Sequence, residues 1–150
     1  MSDFDRSKSL QELEGKNWGE PTYDSHLVTE CHRLRHVPLQ EFRAENLRIM
    51  VGQQISLPYL IPLALEFLRD DPFTAGDFYG GDLLAAVLRA DSHFWVASPA
   101  SRAEAARIAQ QALSLLPSLD ETDRKTAQDS LTDAHDIFQR AEYFAQHGRA

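Results

Sequence analysis

The sequence predicts an all-α fold: a compact bundle of six or seven helices with a long C-terminal helix. Three observations carry this reading. Apolar residues recur at three- and four-residue spacing, as at Leu60, Leu63, Ala64, Phe67 and Leu68. No segment alternates apolar and polar residues over more than a few positions, so strands have no template. Prolines and capping residues punctuate the periodic runs where helices begin and end. A chain of 150 residues fits one domain. A domain of that size buries roughly two-thirds of its unfolded surface and folds without a metal or disulfide.

Residues 1–8 read as a flexible N-terminal tail, and 9–150 as a single helical domain. Ser9-x-x-Glu12 has capping-box spacing, which predicts a helical turn through Leu10 and Leu13 ended at Gly15. Trp18-Gly19-Glu20-Pro21 is a loop that its tryptophan pins to the body. Asp24 or Ser25 caps a helix to about His36, with Leu27, Cys31 and Leu34 inward. Val37-Pro38 stops it, because a residue before proline avoids the helical region. Leu39 and Phe42 mark a brief turn. The next helix runs from about Glu45 to Gln54, with Leu47, Met50, Val51 and Gln54 on one face and Arg48 off it. Pro62 lacks an N–H and suits the first turn of a helix starting near Leu60, which Asp71-Pro72 ends.

Asp82 then reads as an N-cap for Leu83, Leu84, Val87 and Leu88, all directed inward. Phe94 and Trp95 fall in a short helical piece broken by Pro99. Ser101-x-x-Glu104 forms a second capping-box pattern before Ala105, Ile108, Ala109, Ala112 and Leu116, and Pro117 ends that helix. The last helix runs from near Asp120 to near His147, with Gly148 at C′. Its apolar residues (Ala127, Leu131, Ala134, Phe138, Ala141, Ala145) form a narrow stripe with only two large side chains. Such a helix, on the order of 40 Å long at 1.5 Å per residue, packs along a body more than into it.

A net charge of −8 disfavours direct binding to nucleic acid or anionic membrane and favours a basic partner. Cys31 is the only cysteine, so no intrachain disulfide forms and a reducing compartment is implied. The N-terminus has no apolar segment of a signal peptide, and residues 57–65 are too short an apolar run to span a bilayer. A soluble cytoplasmic protein is expected.

The sequence offers little for catalysis. His32 and His36 share a helical face, but no third ligand joins them, and a metal site needs three or four. Neither a Gly-x-Ser-x-Gly elbow nor a Gly-x-x-x-x-Gly-Lys phosphate loop occurs. Cys31 on an apolar face reads as a small core residue. The pairs Asp70-Asp71 and Asp77/Asp82 have structural explanations in turns and caps. No catalytic residue, cofactor or metal is expected.

Charge distribution is more informative. Residues 25–50 carry a net +1, whereas residues 51–100 carry six acids against two bases, net −4. The acids cluster between positions 66 and 91, around Gly76-Asp77-Phe78-Tyr79-Gly80-Gly81-Asp82. Acidic loops commonly serve solubility alone. The alternative is a docking patch of Glu66, Asp70, Asp71, Asp77, Tyr79 and Asp82, with Phe78 and Tyr79 as aromatic anchors inside an acidic rim.

Several motifs, in order and spacing, resemble the immunity proteins of contact-dependent growth inhibition. They are Ser9-Leu10…Leu13-Glu14-Gly15, Trp18-Gly19, Leu27-Val28…Cys31-His32, Pro38-Leu39…Phe42, Leu47-Arg48-Ile49-Met50…Gly52-Gln53, Leu63-Ala64-Leu65-Glu66, Asp71-Pro72 and Gly76-Asp77-Phe78-Tyr79…Gly81-Asp82-Leu83-Leu84. The resemblance covers about residues 9–95 and leaves about 99–150 as a C-terminal extension. It implies a non-enzymatic protein that binds the C-terminal toxin domain of a cognate effector in the bacterial cytoplasm and blocks it. Many such toxins are nucleases, hence basic. The competing reading is a general helical interaction module that dimerises through the 120–147 stripe.

Overall fold

The computed structural model describes residues 4–22 and 25–147, and all of its regular elements are helical. In chain order they are α1 (Leu10–Glu14), α2 (His26–Leu34), α3 (Ala44–Gly52), α4 (Leu57–Asp70), α5 (Asp82–Leu88), α6 (Ser92–Ala97), α7 (Pro99–Leu115) and α8 (Glu121–His147). Single 3₁₀ turns at Leu39–Glu41 and Leu116–Ser118 link neighbours. Among the described residues the only β pairing is an isolated antiparallel bridge between Ala75 and Gly80.

The core centres on α3, α4 and α5. α7 packs against α4, α2 lies against α3, and α8 runs across α5 and α6. The periodic positions explain this arrangement. Leu47, Met50 and Val51 of α3, Leu60, Ala64 and Leu68 of α4, and Leu83, Leu84, Val87 and Leu88 of α5 are all buried. α8 does more than lie along the body. Its stripe of Ala127, Leu131, Ala134 and Phe138 is fully buried, and Phe138 meets Trp95 of α6 edge to face at 5.1 Å. Small alanines let the helix axis approach closely, so the two large side chains reach deep into the core. That burial withdraws the stripe from any dimer interface.

Some expected boundaries and faces hold and others shift. α2 is capped by Ser25, whose hydroxyl accepts from the Val28 N–H, while Asp24 and Gly148 lie outside the described residues. Leu27, expected inward, is 41% exposed. α4 begins three residues early: Pro58 takes the first turn and Pro62 sits inside the helix. The helix tolerates Pro62 because a strongly apolar run holds it in the core. Gln54 leaves the inner face at φ 60°. Its amide instead donates to the Arg89 carbonyl at 3.1 Å and accepts from the Asp91 N–H at 2.9 Å. Ser101 is not a cap, since α7 already starts at Pro99, and Glu104 pairs with Arg69 of α4 at 2.6 Å.

Residues 4–8 are tied to the body. Phe4 packs edge to face on Tyr59, Arg6 pairs with Glu66, and the Leu39 and Gln40 N–H groups donate to the Lys8 and Arg6 carbonyls. The expected capping box at Ser9 is present, and Gly15 ends α1 in the left-handed region at φ 66°.

Arg35 is the least anticipated core residue. A lone arginine beside His36 at a helix end ordinarily faces water, yet the Arg35 side chain is 1% exposed. Nη1 donates to Glu14 Oε1 at 2.5 Å, Nη2 donates to the Lys16 carbonyl at 2.9 Å, and the Trp18 ring covers the guanidinium at 4.4 Å. Ser56 Oγ donates to the second Glu14 oxygen at 2.7 Å. One buried ion pair thereby joins α1, the Trp18 loop, the end of α2 and the start of α4. Trp18 pins its loop as expected, through a charged partner rather than an apolar one.

Candidate protein-binding surface

The connector between α4 and α5 is built around Asp82. Gly81, at φ 103°, turns the chain into α5 and takes the N-cap position expected of Asp82. Only glycine adopts that conformation without strain, and a Cβ there would also approach Leu131 at 3.2 Å. Asp82 therefore enters the first turn of α5 and points back into its own loop. Oδ1 accepts from the Gly76 N–H at 2.6 Å, and Oδ2 accepts from the Phe78 and Tyr79 N–H groups at 3.1 and 3.3 Å. The residue is 4% exposed, so its carboxylate holds the loop from inside and is no part of an outer surface.

Arg48 of α3 braces the same loop from outside. It donates to Glu45 at 2.6 and 2.5 Å, lies 3.8 Å from Asp82, and covers the Phe78 ring at 4.3 Å. Glu45 Oε1 in turn accepts from the Asp77 N–H at 2.8 Å. Gly76 fits because a Cβ there would meet Glu45 Oε1 at 2.5 Å. The Glu45-x-x-Arg48 spacing is visible in the sequence, but its use in bracing a distant loop is not.

The six acidic and aromatic candidates thus separate. Asp82 is buried. Tyr79 is half-buried, and its hydroxyl donates to Ser130 Oγ of α8 at 2.5 Å, so it anchors the loop inward. Asp77 is exposed beside it. Glu66 is half-exposed and paired with Arg6, and it lines a different cleft, with Arg69 and Glu104. Asp70 and Asp71 are exposed at the end of α4, where Asp71 Oδ1 accepts from the Phe73 N–H. Asp77, Tyr79 and Asp82 share one loop, and Glu66 stands apart from them. Phe78, an aromatic in the sequence reading, is 72% exposed.

Electrostatics here favour neutral pH. The hydrogen bonds from Arg48 hold the Glu45 carboxyl below its ordinary value of 4.5, and those from Arg6 do the same for Glu66. A carboxyl depressed by folding contributes stability above its ordinary range, and that contribution is lost as pH falls through the lowered value. Protection of the Asp77 amide from hydrogen exchange is therefore expected to be flat near neutrality and to collapse only below about pH 4.5. Loss of protection already between neutrality and pH 5 would contradict the Glu45 brace.

Burial pushes the Cys31 thiol up, away from nucleophilic chemistry. His32 Nδ1 lies 3.3 Å from the Gly19 carbonyl, and its ring meets the Trp18 edge. Among the described residues no three His, Cys, Asp or Glu side chains converge as metal ligands, and no helix is long and apolar enough to cross a membrane.

The helical body thus presents an acid-flanked loop, braced from within by Asp82 and from outside by Arg48. The family of CDI immunity proteins matches residues 12–105, well over half the chain, and the chain belongs to that family. The match runs from α1 into α7 and includes the whole α4–α5 connector. No curated protein and no solved structure matches the chain.

Proposed function

We propose that the chain binds the C-terminal toxin domain of a cognate contact-dependent growth inhibition effector and neutralises it without chemistry, in the cytoplasm of the recipient cell. The observation that carries this reading is the family match over residues 12–105. The charge of −8 supports a basic toxin, and a nuclease is the natural basic toxin. The acidic contribution to the interface comes from the exposed Asp70, Asp71 and Asp77, while Glu66, paired with Arg6 on a separate cleft, stays outside it. Asp82 and Tyr79 act by shaping the loop. A stable complex of this kind buries on the order of 1,600 Å².

Co-expression with the cognate toxin domain tests the proposal. Growth rescue together with co-purification is the expected result, and arrest without complex formation would overturn it. Association is expected to slow steeply with added salt, since exposed charges more than about 8 Å apart are screened at physiological ionic strength. Stopped-flow association rates across a salt series check this. A flat series would remove electrostatic steering.

A further inference from the structure

Phe78 is the most exposed large hydrophobic side chain among the described residues, at 72%. It stands in the loop closed by the Ala75–Gly80 bridge. Exposure of one phenylalanine is ordinary, but exposure of one held in place by specific contacts is not. Its N–H is fixed on Asp82, its ring lies under the Arg48 guanidinium, and Arg48 is itself clamped by Glu45. The loop thus orders an aromatic ring without burying it, which adds an entropic cost and no apolar gain within the monomer. Rigid aromatic side chains presented this way are the usual anchors of protein interfaces, because the ordering cost is already met before binding.

Beside the loop runs a cleft of about 500 Å³. Its charged lining is Glu30, Glu45 and Asp77 against Arg43 and His26. Glu30 is engaged by Arg33 and Glu45 by Arg48, whereas the Asp77 carboxylate has no hydrogen bond or ion pair among the described residues. An apolar knob next to a cleft edged by the unpaired Asp77 carboxylate is complementary to a protein surface that sets a basic side chain beside an apolar pocket.

We infer that Phe78 is the anchor of the toxin interface: its ring enters an apolar pocket on the toxin domain while a neighbouring lysine or arginine enters the cleft and pairs with Asp77. This rests on the proposed function, and it names the docking surface that the family match leaves open. Arg48 is a positioning residue that acts through the ring and, by way of Glu45, through the Asp77 backbone.

The test measures affinity of the purified full chain for the toxin domain by calorimetry. Phe78→Ala is expected to weaken binding about 10- to 100-fold, with the melting temperature unchanged because the ring is exposed. Arg48→Met should weaken binding more in the presence of Phe78 than in the Phe78→Ala background, where only its hold on Glu45 and Asp77 is left to lose. A purely structural role for Arg48 would instead give the same loss in both backgrounds. Asp77→Asn should reduce the salt dependence of association. Tyr143→Ala, 64% exposed on α8, is expected to leave affinity unchanged. Wild-type-like affinity of Phe78→Ala, or a loss carried by Tyr143→Ala, would overturn the anchor while leaving the immunity role intact. Failure of the wild-type chain to bind would overturn both.

Discussion

Trp95→Ala is expected to lower stability by about 3–5 kcal/mol, the range for removing a large aromatic from a packed core. Trp95 is 0% exposed and sits between Phe94 at 5.0 Å and Phe138 at 5.1 Å, edge to face with both. It is the place where α6 receives α8, so the cavity would open at the seam between the family-matched region and the C-terminal helix. A loss of that size corresponds to a fall in melting temperature of roughly 10 °C for a chain of this length. The indole Nε1 has no hydrogen-bond partner among the described residues. Trp95→Phe gives up no hydrogen bond and leaves a smaller void, so it should lie well above the alanine variant. Thermal denaturation of both separates packing from polar effects. Equal losses would contradict a packing origin.

Asp82→Ala is the second large effect, at about 3 kcal/mol. The substitution deletes a buried acceptor shared by three backbone N–H groups, at Gly76, Phe78 and Tyr79. It also removes a carboxylate 3.8 Å from Arg48. Hydrogen bonds to a charged group are stronger than neutral ones, and donors left buried without an acceptor keep their full desolvation cost. Asp82→Asn retains one oxygen but turns an NH₂ toward donors, so an intermediate loss is expected. Amide exchange should show the loop at 76–79 opening before the helices do. A melting temperature within a degree of wild type would refute the central place given to Asp82. Because Asp82 is buried and Asp77 exposed, reversing the charge at Asp77 is the cleaner probe of the proposed toxin interface.

What the sequence reveals is what depends on near neighbours. The Ser9-x-x-Glu12 box, the glycine stop at Gly15, the Asp71-Pro72 terminus and the inward faces of α3, α5 and α7 all follow from spacing within a few residues. The misreadings are non-local. Ser101-x-x-Glu104 has the spacing of a cap, but Glu104 is drawn to Arg69, 35 positions away. Arg35 looks like surface because its partners, Glu14 and Trp18, come from a segment that periodicity alone does not bring near. Asp82 has cap chemistry at a helix start. The left-handed turn at Gly81, however, moves it one position inside and aims it at the preceding loop. The acidic character of the middle segment was legible. The division of its members into buried brace, inward anchor and exposed rim was not, because backbone direction decides it.

The proposed immunity role requires that this chain neutralise its toxin stoichiometrically. It is tested most directly by titrating the activity of the purified toxin domain with the purified chain. The account predicts linear loss of activity to an endpoint at one chain per toxin, reversed when the complex is dissociated. Inhibition continuing at chain-to-toxin ratios far below one would mean turnover, and no inhibition at excess would mean no neutralisation. Either result would contradict the account.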